Sequence, residues 1–174
     1  MPIQAIHPPS KGRMFLALLY NSNISLEQIK GIIRKEFGEI EDSFAPKLNS
    51  LVSYYKKEMG ENLERQYLLI KGEFDRSDLV KIKKKTMQIE VKHSLDNKRV
   101  VNIDPGLILL EQSLLISTKP YSHRVFISDN LYIELNHIFE KGEYRPLSWT
   151  YPDYKESETL KTFEYWRKTL THKN

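Results

Sequence analysis

Three polar clusters interrupt the apolar second half of the 174-residue chain, and each carries groups able to do chemistry. The first, Asn102-Ile103-Asp104-Pro105-Gly106, sets a carboxylate where a strand is expected to end, and side chains at strand ends project past a sheet towards ligands. The second runs from Thr118 to Arg124 and offers Lys119, Tyr121, His123 and Arg124 within seven residues. The third, Trp149-Thr150-Tyr151-Pro152-Asp153-Tyr154, places three aromatics and an acid in an irregular stretch. Lys119 and Arg124 suit phosphate or carboxylate, the arginine bidentately. His123 is able to move a proton near neutral pH. Asp104 or Asp153 can orient that histidine or hold Mg²⁺. Tyr121, Trp149 or Tyr151 can stack on a ring, and Glu134 lies on the polar side of a later strand, within reach of Arg124. Each group also has a structural reading. Asp104 caps its turn, His123 is half-buried and hydrogen-bonded, Arg124 pairs with Glu134 or Asp153, and the aromatic run ties the last helix to the sheet.

Other chemistry is excluded by composition. Cysteine is absent, which removes disulfides, thiolate metal sites and a cysteine nucleophile. The five histidines (His7, His93, His123, His137, His172) show no metal-ligand spacing on one element, so no dedicated metal site is expected. There is no G-x-x-x-x-G-K-[ST], no G-x-G-x-x-G and no G-x-S-x-G. No apolar run reaches a membrane span, and Met1 to Arg13 lacks a signal core, so a cytoplasmic protein without membrane contact is expected.

The net charge of +4 is concentrated. Between Arg76 and Arg99 stand eight basic residues and three acids, a net +5, which leaves the rest of the chain at −1. Within that segment Leu79, Ile82, Thr86, Ile89 and His93 form one helical stripe, and Lys81, Lys84, Lys85 and Lys92 fall opposite it. Such a face is either a solvated surface or a track for nucleic acid. No aromatic residue interleaves the lysines to supply base stacking.

The elements that must position these groups follow from patterning. Residues 1–12, with four Pro or Gly after Met1, read as an irregular arm, and 13–174 as one α+β domain. Met14–Tyr20 reads as a buried strand. Ser25 with Gln28 forms a capping box for a helix carrying Leu26, Ile29, Ile32, Ile33 and Phe37, ended by Gly38. Ile40–Phe44 is a short strand, Leu48–Gly60 fits a helical face, and Arg65–Phe74 is a strand before the lysine helix, capped by Asp75 or Ser77. A strand at Val100–Ile103 is broken by the Asp-Pro-Gly turn. Leu107–Thr118 begins with a helical turn and continues as a strand at Leu114–Ser117. Arg124–Ile127 and Leu131–Phe139 flank a Ser-Asp-Asn hairpin, and the second strand has one polar face. A last helix starts at Ser157 and turns Leu160, Phe163, Trp166 and Leu170 inward. The order predicts a ferredoxin-like split β-α-β first half, extended by a hairpin-rich antiparallel sheet and a C-terminal helix.

The chain resembles the bacterial family known as domain of unknown function 4416. The resemblance is carried by Val101 to Gly106, Thr118-Lys119 through His123-Arg124-Val125-Phe126, and Pro146 to Tyr154, and more weakly by Glu36-Phe37-Gly38 and Tyr54-Tyr55 with Glu58-Met59-Gly60. It covers roughly residues 13–165. Pro120 follows Lys119 where the family has an acid, Leu107 replaces an aromatic, and Asn130 stands in place of a hairpin glycine. The resemblance implies little about function: some members carry the label GTP-binding protein, which is compatible with a nucleotide held by Lys119, Arg124 and an aromatic in a chain that lacks the phosphate loop of an ordinary GTPase.

Two readings emerge. In the first, a phosphate-bearing small molecule binds where the three clusters converge, with His123 and Asp104 as acid–base or orienting groups. In the second, the lysine face binds nucleic acid or a protein without catalysis. Reaction type, ligand identity, any cofactor, Mg²⁺ included, and oligomeric state are left open by the sequence.

Overall fold

The computed structural model describes residues 9–47, 52–95 and 98–170. Most of the proposed N-terminal arm, Leu48–Leu51 of the second expected helix, Asp96 and His172 lie outside the described residues. The elements run β1 (Arg13–Asn21), α1 (Leu26–Phe37), β2 (Ile40–Phe44), α2 (Val52–Met59), β3 (Leu63–Ile70), α3 (Leu79–Lys92), β4 (Val101–Ile108), β5 (Gln112–Ser117), β6 (Arg124–Ser128), β7 (Leu131–Glu140), β8 (Glu143–Pro146), α4 (Pro152–Lys155) and α5 (Ser157–Lys168). A 3-10 turn, Arg76–Asp78, leads into α3.

The strands form one antiparallel sheet in the order β2-β3-β1-β4-β5-β7-β6, with β8 also paired to β7. Its first four strands, with α1 and α3 as crossovers, are the ferredoxin-like split β-α-β that the patterning predicts. Alternation along β1 divides the core between the two faces. Met14, Leu16 and Leu18 pack under Ile33, Leu79, Ile82 and Ile89 of α1 and α3. Phe15 and Ala17 point to the opposite face, where Tyr154, Phe163 and Trp166 of α4 and α5 cover them. A bare ferredoxin-like sheet leaves that second face uncovered; here the C-terminal helices close it.

Local sequence explains most boundaries. Gly38 ends α1 at φ 102, a conformation that costs a residue with a Cβ. Asp129 and Asn130 both take positive φ (52 and 57), giving the left-handed pair that a two-residue hairpin needs. Ser25 is the N-cap of α1, but its side chain makes no capping bond; its backbone carbonyl accepts from Gln28 N instead, so the expected capping box does not form. Neither Asp75 nor Ser77 caps α3, because the 3-10 turn intervenes and Asp78 occupies the N-cap position.

The Asp-Pro-Gly run is the largest departure from the expected elements. It does not turn: β4 passes straight through it, paired to β1 along its whole length. The expected helical turn after Leu107 is replaced by a tight β4–β5 connection. Gly106 is required by space. A Cβ there would lie 2.4 Å from the Leu114 carbonyl oxygen and 2.4 Å from the Phe15 ring. Gly106→Ala is expected to lower stability by about 1–3 kcal/mol or more through overpacking, read as a lowered urea midpoint.

Candidate functional site

The β4–β5 ladder holds only three residue pairs, Gly106–Leu115, Leu107–Leu114 and Ile108–Ser113. Ile103 N donates to Glu90 Oε1 (2.7 Å), so its backbone groups face away from β1, and alternation gives Pro105 and Leu107 the same direction. Leu107 finds β5. Pro105 has no N–H to offer, and the ladder stops there. Beyond Pro105 the sheet splits, with β4 paired only to β1 and the end of β5 paired only to β7.

Two charged residues of α3 fill the role of the missing strand. Glu90 takes the Ile103 N–H, and Lys83 Nζ donates to Ile103 O at 3.4 Å and to Asp104 Oδ1 at 3.0 Å. Both α3 side chains are buried. Burial pushes Glu90 up from its ordinary range, although Lys83, the Ile103 N–H and Arg99 oppose it. Arg99 bonds to Glu90, Glu58 and Asn102 and closes one end of the split.

The register sets the remaining groups on the face covered by α4 and α5. Arg65, Leu19 and Asn102 form one row across β3, β1 and β4; Tyr67, Ala17 and Asp104 form the next. A third row runs Leu69, Phe15, Gly106, Leu115, Glu134 and Arg124 across six strands. The polar side of β7 is therefore turned towards the C-terminal segment, and Glu134 and Asn136 are fully buried.

A cavity of about 110 Å³ opens over these rows. Arg65 and Asp104 come from β3 and β4, Lys83 from α3, Tyr55 from α2, and Ser117 to Lys119 from the end of β5. Arg124 of β6 and Tyr151, Asp153 and Tyr154 at α4 complete the wall. Arg65 meets Asp153 through Nε (2.9 Å) and Nη2 (2.8 Å), and Tyr67 donates to the same Oδ2 at 2.8 Å. Arg124, with 4% of its side chain exposed, donates to Glu134 (2.7 Å), Ser117 (2.7 Å), the Lys119 carbonyl (3.1 Å) and Tyr151 (3.4 Å). Lys119 Nζ stands 5.8 Å from the Tyr55 ring centre. Burial, with Asp104 adding to it, pushes the Tyr55 hydroxyl up to about 12, so it stays protonated. Burial raises Asp104, but Lys83, Arg65 and the Asn102 amide outweigh it and hold the carboxyl below its usual range.

Residues 10–170 match the family described as Domain of unknown function (DUF4416). The chain belongs to that family. No curated protein and no solved structure matches it. In this DUF4416 chain the three polar clusters meet in part. Asp104, Lys119, Arg124, Tyr151 and Asp153 share the cavity. Glu134 sits behind the wall, paired to Arg124. His123 lies outside the cavity, 3.0 Å from Glu134 Oε2, stacked on Trp149 at 5.4 Å and 12°. Tyr121 covers the Arg124 guanidinium at 4.5 Å, also outside. Trp149 donates to the Leu135 carbonyl.

Lys81, Lys84, Lys85 and Lys92 of α3 are not in the cavity wall of the DUF4416 fold. Lys84 pairs with Asp129 and Lys85 with Glu36, and Lys81 and Lys92 are exposed. Arg65, Tyr55, Lys83 and Glu90 were not among the groups singled out from the sequence. Lys83 and Glu90 stand seven apart beside the stripe Leu79, Ile82, Thr86, Ile89, and that spacing is the signal that marks them as inward-facing.

Proposed function

We propose that the chain binds a small phosphate-bearing molecule, with a nucleotide as the leading class, and that the phosphate enters the cavity between β4, β5 and α4. The reading rests on the convergence of six cations, Lys47, Arg65, Lys83, Arg99, Lys119 and Arg124, on one cavity. Asp153 and Asp104, the partners of Arg65 and Lys83, share the wall, whereas Glu58, Glu90 and Glu134, the partners of Arg99 and Arg124, do not, so the lining carries an excess of positive charge. About 110 Å³ suits a phosphate and a few further atoms. Sites that enclose a whole ligand run to roughly 300–1,000 Å³. The remainder of a nucleotide would emerge beside Arg124, where Tyr121, His123 and Trp149 offer flat faces. The GTP-binding label within the resembled family agrees with that class.

Among the described residues no group of three His, Asp or Glu is placed to hold a metal ion, so in this reading Mg²⁺ arrives with the phosphate. No helix among the described residues is long and apolar enough to cross a membrane. A cytoplasmic setting fits a phosphorylated ligand and a chain without cysteine.

Thermal unfolding with phosphate, AMP, GMP and GTP, each with and without Mg²⁺, tests the reading, since a ligand of the folded state raises the midpoint. Lys119→Ala is expected to weaken the bound compound about tenfold or more, the effect of a lost charge-assisted bond, with the midpoint of the free protein little changed. No shift with any phosphate compound overturns the reading. Salt-sensitive nucleic-acid binding that falls on replacing Lys81, Lys85 and Lys92 would move the site to α3.

A further inference from the structure

We infer that the ligand also carries an N–H donor, an ammonium or amino group, seated on the Asp104 carboxylate. This rests on the phosphate reading and adds a second pole to the ligand. Asp104 and its partner Lys83 both line the cavity, and the Asp104 side chain is 31% exposed against 6% for Lys83. A ligand entering there meets the carboxylate rather than the ammonium. Each Asp104 oxygen holds one donor, Lys83 on Oδ1 and Asn102 Nδ2 on Oδ2 at 2.6 Å. An ionised carboxylate accepts about four, so acceptor capacity remains. The Tyr55 hydroxyl, Lys119 and Arg124 lie on other parts of the same wall.

A second acceptor lies in the same wall. Asp153 is more than nine-tenths buried, and its Oδ1 has no hydrogen-bond partner among the described residues, although Oδ2 holds Arg65 and Tyr67. The buried Tyr154 hydroxyl of the same wall is likewise unpartnered there. A cavity shaped for a bare anion gains nothing from an open carboxylate, which repels it. Cations from the β5–β6 side and a carboxylate from β4 together complement a ligand bearing both signs.

The experiment is calorimetric titration of the full chain at neutral pH with three probes: ethyl phosphate, phosphoethanolamine and ethanolamine. The first two differ in the ammonium. Phosphoethanolamine is expected to bind about tenfold tighter than ethyl phosphate, the effect of one added charge-assisted bond. Asp104→Asn is expected to erase that preference while ethyl phosphate still binds. Because the substitution strips Lys83 of its partner, the Lys83→Met, Asp104→Asn double variant, which removes both charges, is measured beside it. Equal binding of the two phosphates, or a preference that survives in both variants, overturns the inference and leaves the phosphate reading intact. Binding of ethanolamine alone, lost on Asp104→Asn, would instead overturn the phosphate reading and keep the donor seat. If none of the three binds, the inference falls, and the phosphate reading is decided by the thermal series with phosphate, AMP, GMP and GTP.

Discussion

Asp153→Ala is expected to lower stability by about 3–5 kcal/mol, because it leaves a buried guanidinium without its counter-charge. Arg65 and Asp153 are 12% and 8% exposed, and the guanidinium lies 5.5 Å and 5.6 Å from the Tyr67 and Tyr154 ring centres. Water from the cavity that both groups line replaces the lost carboxylate only in part, since it carries no counter-charge. Tyr67 loses its acceptor in the same step. Against a typical total of about 5–15 kcal/mol, this is about a fifth or more of the stability of an ordinary domain. Urea unfolding should show a lowered midpoint with an unchanged slope. An Arg65→Met, Asp153→Leu double variant should recover most of the loss, since it removes both charges together. A single-variant loss below ~1 kcal/mol would mean that the pair behaves as an exposed salt bridge, contrary to its burial.

Acid should weaken the fold well above the range where carboxylates titrate. His137 is fully buried, and its neutral ring is satisfied at both nitrogens. Nε2 donates to the Tyr154 carbonyl at 3.0 Å, and Nδ1 accepts from Ser113 Oγ at 2.7 Å. Burial lowers its pKa from 6.5 to about 4, despite the Tyr154 carbonyl acting the other way. The unfolded chain therefore takes up a proton that the folded chain refuses. Stability is unaffected by this group above pH ~6.5 and falls as pH drops towards 4, by about 3 kcal/mol in all. Glu90, raised by burial, responds in the opposite sense as pH falls, so the assignment to His137 rests on the variant rather than on the slope alone. His137→Gln, which keeps an amide donor for Tyr154, should show a shallower fall across that window in pH-dependent urea unfolding. The same slope in both proteins would falsify the assignment.

Much of the fold was legible because local signals agreed with the tertiary result. The apolar run from Met14, the stripe ended by Gly38 and the Asp129-Asn130 turn each met an environment matching their pattern. The site was less legible because its parts act across strands. Pro105 reads as a turn signal, yet in β4 it ends the pairing with β5 while the strand continues against β1. Glu134 and Asn136 alternate along the polar side of β7, yet both are buried, and no local pattern announces that Arg124 packs on Glu134 or that Thr150 bonds to the Asn136 carbonyl. Lys83 and Glu90 were hidden in a charge run whose other lysines do face outward. Arg65 and Tyr67 lie in a strand whose next three residues are apolar, and only the register brings them to Asp104 and Asp153.

The three-pair joint between β4 and β5 gives the sheet the mechanics of two plates on a short hinge. One plate is the four-stranded ferredoxin-like half; the other is β5 to β8. Few backbone bonds cross between them, so their cooperativity is held by side chains. Lys83 and Glu90 brace the open edge of the first plate. Along α5, Trp166 reaches Asp42 of β2 at 2.7 Å while Arg167 reaches the Leu110 carbonyl in the β4–β5 turn at 2.7 Å. The cavity lies across the hinge. A molecule held by Lys119 and Arg124 on one plate and by Arg65 or Asp104 on the other would act as a cross-brace, so its binding energy would oppose not only global unfolding but also the separate opening of the two halves.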